Sequence, residues 1–157
     1  MIGASTANAG CTTIELEIAI EAPREKVWNA MFEEANAWWL PDFRVAGPNS
    51  KVTFDPTPGG RGMVETTEDG GGLLWFNTQM YLPSEFKIYL VGHIAPEWGG
   101  PTTSNLKLAL EETDSGCILK VTDARHGNID ENQTQSYEDG WNQLFGNGLK
   151  KHVESKQ

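Results

Sequence analysis

A chain of 157 residues that is 38% hydrophobic and holds six Trp and six Phe is long enough to bury one core unaided, and too rich in apolar rings to be disordered. Its formal net charge of −10 repels phosphate backbones and anionic headgroups, which excludes nucleic acid and membrane surfaces as expected partners. It has no apolar run of the roughly 18 residues a spanning helix needs, and residues 1–10 show no basic cluster ahead of an apolar stretch, so no leader is expected. With only Cys11 and Cys117, a disulfide framework is not expected; reduced thiols and a cytoplasmic location are.

Residues 1–12 are small and polar and read as a disordered arm, ahead of one domain over residues 13–157. Ile14, Leu16, Ile18 and Ile20 alternate with Glu15, Glu17, Ala19 and Glu21, the pattern of a half-buried strand. Pro23 suits the first turn of a helix that buries Val27, Ala30 and Met31, and a second short helix runs to Pro41. Strands then follow at Val52 and Phe54, residues 63–67, residues 73–82, from Phe86 to His93, at Leu106, Leu108 and Leu110, and over residues 117–124. Gly, Pro and Asp clusters punctuate them, and a loop with Trp98 spans residues 95–101. Finally Tyr137, Trp141, Leu144, Phe145, Leu149 and Val153 recur at three and four, predicting one long amphipathic helix from about Asn132 to Glu154. The expected class is therefore α+β. A curved antiparallel sheet of about seven strands needs a cover on its dry face, and the last helix is the only element long enough.

This order, with Glu21-Ala22-Pro23-Arg24-Glu25-Lys26-Val27-Trp28 opening the first helix, Asp55-Pro56-Thr57-Pro58-Gly59-Gly60-Arg61 at a strand turn, and Ser136-Tyr137-Glu138-Asp139-Gly140-Trp141 with Leu144 in the closing helix, resembles the helix-grip fold of the START/SRPBCC (Bet v 1-like) superfamily. Within it the chain is similar to the branch of activators of the 90-kDa heat-shock protein ATPase, over roughly residues 14–153. The resemblance implies a cavity between sheet and helix. It also implies one of three roles: binding a small hydrophobic molecule, cyclising polyketides, or assisting a chaperone.

The rings of Trp38, Trp39, Phe43, Phe54, Trp75, Trp98, Trp141 and Phe145 exceed what a small core requires and suit the walls of an apolar pocket. Ordinary packing is the competing reading, and the expected one for Trp28 and Phe145. Gly140, Gly146 and Gly148 interrupt the last helix at about 1 kcal/mol each relative to Ala. Space for a ligand, close contact with the sheet, or a bend at residues 146–148 are the offsetting reasons. If Cys117, Leu119 and Val121 face inward, a period of two puts Asp123 and Arg125 on the same face. By the same rule Arg61 would join Glu65, and Asn77 and Gln79 would join Trp75. Such groups orient a polar head, or else sit at the sheet rim in water or paired with each other. The expected ligand-binding set is thus Trp38, Trp39, Phe54, Arg61, Trp75, Asn77, Gln79, Trp98, Arg125, Trp141 and Phe145.

His93, His126 and His152 show no metal-ligand spacing, so neither a metal nor another cofactor is expected. Cys117 in a buried strand would be inert, and the glycine runs near residues 60 and 71 are turns rather than phosphate cradles. The leading expectation is a non-catalytic carrier or sensor of a small apolar molecule. A cyclase- or hydrolase-like enzyme and a chaperone-regulating module stand as alternatives, with a chaperone or a second copy of the chain as the remaining partner classes.

Overall fold

Backbone pairing begins before the apolar alternation does. In the computed structural model, which describes residues 3–6 and 8–156, β1 spans Gly10–Ile20. Its first residues pair Gly10 with Gly127, Cys11 with His126 and Thr12 with Arg125. The ladder uses N–H and C=O groups whatever the side chain, so the small polar residues 10–12 belong to the sheet rather than to the expected arm. Residues 3–6, 8 and 9 form no regular element, while Met1, Ile2 and Ala7 of that arm lie outside the described residues.

After β1 come α1 (Arg24–Glu33) and α2 (Ala35–Trp38). Six strands then run as a meander: β2 (Lys51–Asp55), β3 (Gly62–Thr66), β4 (Gly72–Leu82), β5 (Lys87–Ile94), β6 (Thr102–Thr113) and β7 (Gly116–Gly127). β1 returns to pair with β7, giving one antiparallel sheet in the order β1-β7-β6-β5-β4-β3-β2. Ile14, Ile18 and Ile20 of β1 and Cys117, Leu119 and Val121 of β7 are buried, as the period of two requires.

The closing helix starts at α3 (Glu131–Trp141) on a capping box: Asp130 Oδ1 accepts from the Gln133 backbone N–H at 2.7 Å, and Gln133 Oε1 accepts from the Asp130 N–H at 3.1 Å. It continues as a π-helical segment, Asn142–Lys150, and ends in α4 (Lys151–Glu154). The single regular helix expected from periodicity is therefore corrected to one with a wider middle. Its Leu144, Phe145 and Leu149, with Val153 of α4, are buried in one cluster with Met31 and Trp38, so the interior beneath the C-terminal half is filled with side chains.

The three helix glycines divide by what surrounds them. A Cβ on Gly148 would sit 2.6 Å from the Trp38 carbonyl oxygen, so the helix backbone rests directly on the end of α2. A Cβ on Gly146 would meet nothing within 4 Å, and one on Gly140 would make ordinary contact with Phe43 at 3.8 Å. Gly148→Ala is thus expected to lower stability by about 1–3 kcal/mol through overpacking, whereas Gly146→Ala raises it by up to about 1 kcal/mol through helix propensity. Thermal unfolding of the two variants, moving the midpoint in opposite directions, checks this.

Candidate functional site

The inward row of β7 begins apolar and ends in Asp123 and Arg125, which are 0% and 5% exposed. Asp123 is the hub. Its carboxylate accepts from Ser104 Oγ on β6 at 2.5 Å, from Arg125 Nε at 2.7 Å and from Trp141 Nε1 on α3 at 2.7 Å. The Tyr137 ring, one turn before Trp141, lies over the Arg125 guanidinium with the centroid 3.5 Å from Cζ. Of the two arrangements open to Asp123 and Arg125, the pair is therefore joined, and it is buried rather than at a wet rim.

A second buried carboxylate does the same for another Trp. Glu65 on β3, 0% exposed, accepts from Trp75 Nε1 at 2.6 Å, from Ser50 Oγ at 2.8 Å and from the backbone N–H groups of Val45 and Ala46 at 3.1 Å each. With their indole N–H groups bound to carboxylates, Trp75 and Trp141 are held in place and present ring faces.

Those faces wall a recess of about 250 Å³ between β4–β7 and the first half of the closing helix. Phe76, Gly92, Ile94, Ser104, Arg125 and Tyr137 complete its sides, and Val45, Leu74, His93 and Trp98 also border it. Trp98 is held there because Gln133 Nε2 and Asn128 Nδ2 both donate to the Gly99 carbonyl, at 2.9 and 3.1 Å. A more open groove of about 660 Å³ runs along α3 past Phe43 and Gly140. Trp75, Arg125, Tyr137 and Trp141 line both spaces and so form the wall between them.

Of the residues expected to line a pocket, Trp75, Trp98, Arg125 and Trp141 come together here. Trp38, Trp39, Phe54 and Phe145 are packed in the core instead. Trp38 Nε1 donates to the carbonyls of Ala30 and Met31, Phe54 packs edge-on against Phe32, and Phe145 stacks behind Trp141. Trp39 backs Trp75 with ring centroids 5.5 Å apart.

Arg61, Asn77 and Gln79 are exposed, contrary to expectation, for two backbone reasons. Gly62 has φ +65°, which breaks the alternation between Arg61 and Glu65. On β4, Met63 pairs with Phe76 and Val64 with Leu74, leaving Trp75 as an unpaired bulge residue. Trp75 and Phe76 both reach the interior as a result, and Asn77 and Gln79 turn outward.

Tyr137, Ser104 and Gly92 were missed as site residues. Tyr137 stood four residues before Trp141 on the helical stripe, which was a usable signal. A Cβ on Gly92 would lie 2.5 Å from the Trp75 carbonyl oxygen, and a glycine inside a strand marks that kind of close approach. Ser104 carried no signal, since its role depends on Asp123 of the neighbouring strand, which accepts its hydroxyl.

His93 Nδ1 lies 3.4 Å from Thr103 Oγ1, and His126 is exposed. Burial pushes the Cys117 thiol up to about 11, which leaves almost no thiolate near neutral pH. Among the described residues no three His, Cys, Asp or Glu side chains are grouped to hold a metal ion, and no helix is long and apolar enough to cross a membrane.

The closing helix laid over a curved seven-stranded sheet is the helix-grip arrangement, and the sequence carries a family signature to match. Residues 21–154 match the model of the family described as activator of Hsp90 ATPase homolog 1-like protein. The chain belongs to that family. No curated protein sequence matches it. Among solved structures, this family member is similar to protein MLL2253 from Mesorhizobium loti, at 20% identity and a TM-score of 0.65 over 93% of this chain and 98% of that one. Protein CV1439 from Chromobacterium violaceum is 23% identical, with a TM-score of 0.63 over 90% of this chain and 96% of that one. Ara h 8.0201 is 19% identical, with a TM-score of 0.65 over 93% and 99%. At these identities the likeness speaks for the fold.

Proposed function

We propose that this activator-family domain is a carrier or sensor that holds a small, flat, hydrophobic molecule in the recess between β4–β7 and α3. One observation carries the reading. Val45, Leu74 and Trp98, which are 55%, 46% and 58% exposed, are three of the four exposed large hydrophobic residues among the described residues, and all three border this recess. Exposed apolar surface gathered around one concavity marks a binding site, whereas scattered single residues would not. The volume is just below the roughly 300–1,000 Å³ of typical ligand pockets, which points to a small ligand.

Non-catalytic binding is favoured over an enzyme of the cyclase or hydrolase kind. Both buried carboxylates are engaged with Trp, Arg, Ser and backbone donors, and among the described residues the ring nitrogen of His93 meets a hydroxyl rather than an orienting carboxylate. The test is native mass spectrometry of the protein purified from its source host, with titration of an environment-sensitive apolar dye. A small-molecule adduct is expected. Trp98→Ala is expected to weaken the dye about tenfold while changing stability by less than about 0.5 kcal/mol. The absence of both a small-molecule adduct and dye binding would sink the proposal.

A chaperone-regulating role, suggested by the family description, finds support in the same exposed apolar rim. A pull-down with the cognate chaperone at micromolar concentration tests it, and no complex would argue against it.

A further inference from the structure

We propose that Arg125 makes the recess selective for ligands that carry a neutral carbonyl-type acceptor; this rests on the ligand-binding reading above. Arg125 is 5% exposed and forms part of the walls of both the recess and the groove. Its Nε is engaged by Asp123, and its guanidinium face by the Tyr137 ring. Its Nη1 is buried and has no hydrogen-bond partner among the described residues. A guanidinium donates in its own plane through fixed N–H groups, so Nη1 is an unspent donor on a side chain that borders a space walled by rings. A buried donor without a partner is costly, and a ligand that supplies an acceptor there gains what the free protein forgoes.

Charge decides which acceptor. The Asp123 carboxylate already balances the Arg125 cation at 2.7 Å. Of the residues that line the recess, only His93 at its border could add a further positive charge. A carboxylate brought to Nη1 would therefore leave one uncompensated buried charge, in a chain whose net charge is already −10. A ketone, aldehyde or ester oxygen satisfies the same donor and leaves the pair neutral. Tyr137 is the cover: it is half-buried on α3 and stacks on Arg125. Because Nη1 is buried, a flat ligand reaches it when this ring shifts aside, and the Asp123 contact at Nε can stay in place.

Three probes of nearly one shape separate the effects: acetylnaphthalene, isopropylnaphthalene and naphthoate, substituted at the same ring position and titrated against the indole N–H resonances of the full chain. The acetyl probe is expected to bind about tenfold or more tighter than the isopropyl probe, and naphthoate more weakly than either. Arg125→Lys is expected to bring the acetyl and isopropyl affinities to within about twofold of each other. Equal affinities for acetyl and isopropyl would overturn the role of Arg125 and leave the ligand-binding reading standing. Tightest binding by naphthoate would overturn the choice of a neutral acceptor, and no binding by any probe would overturn both readings. If Arg125→Lys does not fold, the three affinities of the unaltered protein decide alone.

Discussion

Asp123→Ala is expected to lower the unfolding free energy by about 3–5 kcal/mol, because it strands a buried guanidinium. Three donors lose their acceptor together: Ser104 Oγ, Arg125 Nε and Trp141 Nε1. For a domain whose whole stability is about 5–15 kcal/mol, that is a large share. Asp123→Asn keeps one carbonyl oxygen, which can accept from Trp141 and Arg125 where Oδ2 stood, while its NH2 group replaces Oδ1 opposite the Ser104 hydroxyl and the counter-charge is lost, so an intermediate cost is expected. The double variant Asp123→Ala with Arg125→Met removes both charges and is expected to recover much of the loss. Urea unfolding of the three variants reads these differences directly. A loss below about 1 kcal/mol for Asp123→Ala would mean that the pair is not buried as described.

Glu65→Ala is expected to cost about 3 kcal/mol and to loosen the site at the same time. Each unsatisfied buried donor costs about 1–3 kcal/mol, but the space left by the side chain can admit water that partly replaces the carboxylate. The donors freed are Trp75 Nε1, Ser50 Oγ and two backbone N–H groups of the segment that carries Val45. Amide exchange at Val45 and Ala46 is therefore expected to speed up by at least about tenfold, and the Trp75 indole resonance to shift. Dye affinity falls together with stability in this variant, whereas Trp98→Ala loses affinity alone. Unchanged exchange at Val45 and Ala46 would show that Glu65 does not hold that segment.

These effects locate what was legible and what was not. The apolar rows of β1 and β7 were readable because alternation follows from the backbone geometry of a single strand. That rule also placed Asp123 and Arg125 correctly on the inner face of β7, where no irregularity interrupts the register with β6 or β1. The same rule failed for Arg61, Asn77 and Gln79. Gly62 takes a left-handed backbone and Trp75 is an unpaired bulge residue, and both features depend on how β3 and β4 meet. The aromatic excess pointed to a pocket, but half of the rings singled out are the packed interior. Which ring lines a wall depends on where the closing helix crosses the sheet.

The glycines of the closing helix make the same point. Their cost in a helix could be read from residue type, yet Gly148 answers to the Trp38 carbonyl, Gly140 borders a groove and Gly146 faces open space. The amino-acid sequence by itself determined the element order, the acidic composition, the dry faces of β1 and β7 and the long amphipathic helix that covers the sheet, because each of these follows from local periodicity and side-chain polarity. The tertiary structure alone decided that Asp123 and Glu65 each anchor one Trp of the recess and that Tyr137 covers Arg125. Those contacts join residues on different elements, and contacts between elements leave no period in a sequence.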